Sequence, residues 1–174
     1  VGWWETPSGA ERCVRALVVA GYEISKSFTR QWTNILVKLS TIMSSITMSV
    51  HILELLAEFS SVQALYANFT EADYRRVFGI ALQYIQFHES VAAGSTRENL
   101  RSSAAKFVLA QYVLLLAYNN ISQWFMTLRL SERAKHASYI TEGLVLANEG
   151  RDSLSDQPIV CRDFLARCTY RTEL

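Results

Sequence analysis

The chain has 174 residues, half of them apolar, with two prolines, seven glycines and a formal net charge of +1. That length fits one domain that can bury a core, and the composition excludes a disordered or collagen-like polymer. A near-zero net charge leaves no electrostatic basis for binding nucleic acid or an anionic membrane.

Ser8 with Glu11 forms a capping box that opens a first helix over residues 9–22, with Val14, Leu17 and Val18 as its apolar stripe. A second helix is expected over residues 25–44, carrying Phe28, Trp32, Ile35, Leu36, Leu39 and Met43 at helical spacing. A third follows over 47–60 through Val50, Leu53, Leu56 and Ala57. The stretch "LYANFTEADYRRVFGIALQYI" then reads as a fourth helix with a clear start. Thr70 is its N-cap, and Asp73 closes a shortened capping box. Glu71 and Asp73 place negative charge at the positive end of the helix dipole. Tyr74, Val77, Phe78, Ala81, Leu82 and Ile85 form one stripe, so this is a packing helix.

The segment "HESVAAGSTRENLRSS" is polar, contains Gly94 and has weak periodicity, which predicts a surface loop near 89–103. The fifth helix, over 104–128, is apolar around most of its circumference, so it should be enclosed on several sides and form the spine of the fold. Its large side chains would contribute about 15–25 kcal/mol of gross burial. Its strongest run, "FVLAQYVLLLAY", is interrupted by Gln111 and falls short of a bilayer span. Ser131 is expected to cap a sixth helix over 132–148, ending near Gly150. Asp156, with Pro158 in the first turn, opens a seventh over 157–169. No alternating β-branched segment with hairpin turns occurs, so no sheet is expected.

Seven helices with mostly short connections leave a closed bundle or an α-solenoid. Helices two and three, and four and five, form pairs that start about 45 residues apart, the period of HEAT-like repeats. The expected fold is therefore all-α: a HEAT-like α-solenoid fragment of about seven antiparallel helices, with residues 1–174 as a single segment. Val1 stands where an initiating methionine would be, nothing signal-like follows, and the end is abrupt. We expect a piece excised from a longer protein. Cys13, Cys161 and Cys168 are odd in number, form no C-x-x-C and fit a reducing cytosol. Cys161 and Cys168 share a helix face but lie about 10 Å apart along its axis, too far to bridge.

No residues assemble into a catalytic group. His51, His88 and His136 lie far apart in the chain without ligand-spaced partners, and no phosphate loop, zinc or nucleophile motif occurs. Glu54 and Glu58, one turn apart, read as a solvated face. The sequons at Asn68 and Asn120 read as chance matches. Trp3 and Trp4 mark either a contact to an upstream part or an unanchored end. We expect no catalytic residue, cofactor or metal. The residues with most scope for binding a partner are the exposed-looking Arg75, Arg76, Arg129 and Arg133, alongside the basic run "SERAKH". The residues alone support a helical interaction module. The alternative is a small helical bundle that binds an apolar ligand along its fifth helix.

Three stretches resemble the tuberin family. In "ILVKLSTIMSSITMSVHILELLAEFSSVQALYANF" the family pattern falls on Val37, Lys38, Leu39, Leu53, Glu54, Leu65, Tyr66, Asn68 and Phe69. The next helix matches through Tyr74, Val77, Phe78 and Ile80. The most specific stretch, "QYVLLLAYNNISQWFMTLRLSERAKHASYITEGL", matches at Gln111, Tyr112, Ala117, Trp124, Phe125, Arg129, Leu130, Arg133, Ile140, Thr141, Gly143 and Leu144. Residues 33–87 and 108–147 carry the resemblance, which is nearer to fungal members than to animal ones. Asn119 stands where the family usually has His, so no pH-dependent role is assigned there.

The resemblance implies the late part of a long α-solenoid in the GTPase-activating subunit of the tuberous sclerosis complex. The family's activating domain, with its catalytic Asn, lies further along and matches nothing here. The family binds hamartin, chiefly its coiled coil, and acts on the small GTPase Rheb upstream of TOR signalling. By that resemblance the chain is expected to be cytoplasmic, peripheral at the lysosome or vacuole surface, and a rigid scaffold without cofactor. It would reach Rheb only through the activating domain, and its open ends would favour self-association.

Overall fold

The computed structural model describes residues 7–23, 25–41, 46–94, 100–148 and 156–170. They form eight helices: α1 (Pro7–Glu23), α2 (Ser25–Thr41), α3 (Ile46–Ser60), α4 (Gln63–Tyr66), α5 (Glu71–Gly94), α6 (Leu100–Thr127), α7 (Leu130–Ala147) and α8 (Asp156–Tyr170). No strand occurs among the described residues, so the fold is all-α. No described helix is long and apolar enough to cross a membrane.

Three boundaries differ from expectation. The four-residue α4 forms ahead of the fourth predicted helix, which starts at Glu71 as its cap requires. α5 then runs on to Gly94 and α6 begins at Leu100, so the segment expected as a polar loop over 89–103 is helical at 89–94 and 100–103, while residues 95–99 lie outside the described residues. Polar composition does not break a helix: Glu89, Ala92 and Ala93 are good helix formers. Ser131 is not a cap. Only Leu128 and Arg129 join α6 to α7, so the corner and its extended backbone fall on Arg129, which caps through no side chain. Ser131 lies inside the first turn.

Successive main helices alternate between two layers. One contains α1, α3, α6 and α8, each packed on the next, and the other contains α2, α5 and α7. Neighbours within a layer run parallel: Glu11 meets His51 and Tyr22 meets Glu58 across α1 and α3, while Glu71 meets Lys135 and Leu82 lies over Gly143 across α5 and α7. Neighbours across layers run antiparallel. Tyr74 at the start of α5 meets Trp124 near the end of α6, and Arg133 at the start of α7 reaches Cys168 near the end of α8. This is the stacking of helix pairs in an α-solenoid, not a ring around one centre. The predicted pairing of helices four and five holds as α5 with α6. The pairing of two and three does not, because α4 packs on both α2 and α3, and α2 turns instead to α5.

Apolar stripes meet between the layers. Trp32 meets Phe59 edge-on and Phe28 at a tilt, and Phe69 stacks on Trp124. Phe78 and Tyr74 flank His136. α6 packs on α3, α5 and α8, but it is not enclosed all round: Val108 and Leu115 keep 67% and 61% of their surface. A helix at the middle of one layer has neighbours on three sides and solvent on the fourth, whatever its composition.

Close approach of α1 to α3 depends on Gly21. A Cβ there would lie 2.6 Å from the edge of the fully buried Phe59 ring. At Gly143 the added methyl meets only the tip of Leu82, which can rotate away. Gly21→Ala is expected to destabilise by about 1–3 kcal/mol despite its better helix propensity, and Gly143→Ala by clearly less. Urea midpoints of the two variants measure the contrast.

Candidate interaction surface

The arginines singled out in the sequence take different positions. Arg75 on α5 bonds Glu71 at 3.0 Å and lies over the Tyr139 ring of α7. Lys135 of α7 closes on the same Glu71, so the outer face of α5 and α7 is zipped by one carboxylate between two cations. Hydrogen bonding from Lys135 holds the Glu71 carboxyl below its ordinary pKa. Arg76 turns toward α2 and bonds Asp73 at 3.1 Å. Arg129, at the corner before α7, is exposed.

Arg133 is committed inside the fold. Its guanidinium donates to the carbonyls of Leu128 at 3.3 Å, Met126 at 3.3 Å and Cys168 at 3.0 Å, and it covers the Phe125 ring. Those carbonyls lie in the last turn of α6, just after it at Leu128, and in the last turn of α8, where intrahelical donors run out. One planar fork therefore ties two helix ends together, a geometry lysine cannot copy. Arg133→Ala and Arg133→Lys should each cost about 1–3 kcal/mol in chemical denaturation, whereas Arg129→Ala should fall within about 0.5 kcal/mol of wild type.

At the α2–α5 junction Asp73 is 5% exposed. One of its oxygens accepts from the Thr70 amide at 3.0 Å and hydroxyl at 2.7 Å, the other from Thr33 at 2.9 Å and Arg76. Burial raises its pKa, but these bonds and the Arg76 charge outweigh burial and leave it lowered. His136 is buried, and burial pulls its pKa down, so its neutral ring serves as packing between Tyr74 and Phe78. All three cysteines are free thiols, and burial pushes Cys161 up to about 12.

Among the described residues no His, Cys, Asp and Glu side chains gather as a metal site. The side chains of His88, Trp3 and Trp4 lie outside the described residues. Asn68 is exposed. Asn120 is 1% exposed and donates to the carbonyls of Leu53 and Leu116 at 2.9 Å, so its sequon is closed in the folded chain.

The opposite face, made by α1, α3, α6 and α8, was read in sequence only as solvated carboxylates and core helix. It carries an open groove of 590 Å³ between α1, α3 and α6, lined among others by His51, Glu54, Glu58 and Tyr112. A second groove, of 380 Å³, lies between α6 and α8 and is lined by Leu115, Tyr118, Val160 and Phe164 with Asp156 at its edge. The spacing of Val108, Tyr112 and Leu115, opposite the buried Val113, Ala117 and Ile121, was the signal available for this ridge.

Two comparisons bear on the chain. A family model described as tuberin matches residues 6–90. A protein of Schizosaccharomyces pombe described as a tuberous sclerosis 2 protein homolog is 41% identical over 157 residues, covering 90% of this chain and 12% of that protein.

Proposed function

The chain belongs to the tuberin family, and from that premise we propose that it is a non-catalytic scaffold segment of a tuberin-like GTPase-activating protein. It spans 12% of the length of the curated relative it matches, so a role in the whole protein is a role for one part of a long solenoid. In this reading it is a late stretch of that solenoid, helps assembly with the hamartin coiled coil, and leaves stimulation of Rheb to an activating domain elsewhere. The parent would work in the cytoplasm at the lysosome or vacuole surface, upstream of TOR. The observation that carries the reading is 41% identity sustained over nearly the whole chain. The open stack of parallel layers supports it, because such stacks transmit position and offer surface.

The test has two arms. Added to GTP-loaded Rheb, the chain should leave the hydrolysis rate at its intrinsic value, while the full-length parent accelerates it. Light scattering and crosslinking with hamartin coiled-coil segments should detect a complex. Stimulation by the chain alone would overturn the non-catalytic assignment. No complex with any hamartin segment would reduce its part to a spacer.

The reading as an apolar-ligand bundle loses its support, since the helices do not surround a centre and the described grooves open to solvent along the outer faces.

A further inference from the structure

The two faces of the slab treat their carboxylates differently. On the α5–α7 face Glu71 is matched by Arg75 and Lys135, and at the α2–α5 junction Asp73 is matched by Arg76. On the other face neither Glu54 nor Glu58 has a lysine or arginine partner among the described residues. Arg15, which lines the same groove, is held by Glu11 at 2.8 Å. Each unmatched carboxylate instead accepts a tyrosine hydroxyl, Glu54 from Tyr112 at 3.2 Å and Glu58 from Tyr22 at 3.1 Å. Such a bond fixes where a carboxylate sits without cancelling its charge. His51, 3.8 Å from Glu54, offsets it only when protonated.

Beside these acids runs the exposed ridge of α6. Val108, Tyr112 and Leu115 follow one another at steps of four and three, and Val160 of α8, 64% exposed, extends the ridge across the second groove. The apolar part of the ridge, from Val108 to Leu115, is about 10 Å long, two turns of helix, and Asn119 and Ser122 continue the same face toward the exposed Met126. An apolar ridge flanked by fixed, unmatched negative charge repels anionic headgroups and is complementary to cations on an apolar stripe.

We infer that this face seats an amphipathic helix of a partner, its apolar stripe lying on Leu115 and Val160 and its lysines or arginines opposite Glu54 and Glu58. Helix-in-groove recognition uses this combination: the apolar anchors give affinity, and the flanking charge sets orientation and excludes acidic competitors. The inference goes beyond the proposed function and does not depend on the identity of the partner named there.

The probe is a synthetic helix of about 21 residues with leucine at every third or fourth position and lysine on both flanks. It is labelled and titrated with the protein, and binding is read as fluorescence anisotropy. Binding should weaken by about tenfold or more with Leu115→Glu and with the pair Glu54→Lys and Glu58→Lys. The same peptide with glutamate for lysine should bind the double-lysine variant better than wild type. Circular dichroism checks that each variant is folded, and Val160→Glu replaces Leu115→Glu should the latter fail that check. No binding to wild type, or equal binding to every variant, overturns the inference. So does a wild-type dimer that Leu115→Glu dissolves, which would assign the face to a second copy of the chain.

Discussion

Replacing Trp124 by alanine is expected to destabilise the protein by about 3–5 kcal/mol, the upper range for removing a buried aromatic. The indole is fully buried. It stacks on Phe69 with ring centroids 5.6 Å apart and meets Tyr66 and Tyr74 edge-on. Its N–H donates to the Leu56 carbonyl at 2.9 Å. Those contacts reach α3, α4, the turn before α5, and α5 itself, so no single neighbour can move in to fill the space. A domain of this size loses about 2–4 °C of Tm per kcal/mol, so the midpoint should fall by about 10–15 °C in calorimetry. Trp124→Phe keeps most of the ring and drops the N–H, and should cost about 1–2 kcal/mol. Amide exchange should quicken first along the α3–α6 seam, because the Trp124 and Asn120 side chains both bond α3 carbonyls there. A Trp124→Ala midpoint within about 2 °C of wild type would mean that the aromatic knot is not what joins the layers.

How far these features could be read from the sequence depended on how local their causes are. The cap at Thr70 was legible because its partner Asp73 is three residues away, and the structure places both bonds of the box there. The stripe on α5 was also legible: Val77, Phe78, Ala81, Leu82 and Ile85 are all buried. Ile80 and Tyr84 are buried too, because α5 has α2 on one side, α7 on the other and α6 behind. No periodicity in α5 alone reveals a neighbour on its second side. α6 was misread in the opposite direction, since apolar residues all round a helix are the same letters whether the last side meets protein or solvent. Arg133 looked like any solvated arginine because its partners are backbone carbonyls, which every residue has. Glu54 and Glu58 were correctly placed one turn apart. That no described lysine or arginine pairs with them, and that Tyr22 and Tyr112 arrive from two other helices to hold them, are facts of stacking rather than of spacing.

Asp73 should govern the acid limb of the stability curve. Its folded pKa lies below the ordinary aspartate value of 3.8. Its stabilisation is therefore complete above that unfolded value and is lost as pH falls through the folded one, over a window that opens near about pH 5. At neutral pH Asp73→Ala should cost about 2–4 kcal/mol, because it strips the Thr33 hydroxyl, the Thr70 amide and the Arg76 guanidinium of their shared, buried acceptor. Thr33→Val should cost only about 1 kcal/mol, since the carboxylate keeps its other donors. Glu71 also has a lowered pKa, held down by its hydrogen bond from Lys135, so absolute curves mix two groups. Measuring Asp73→Asn against wild type, both in a Glu71→Gln background, separates them. The two urea-derived curves should converge as pH falls below about 4, because protonation deprives the wild type of the charge that the variant never had. Parallel curves down to pH 2 would place the acid sensitivity elsewhere and leave Asp73 as a neutral-pH cap alone.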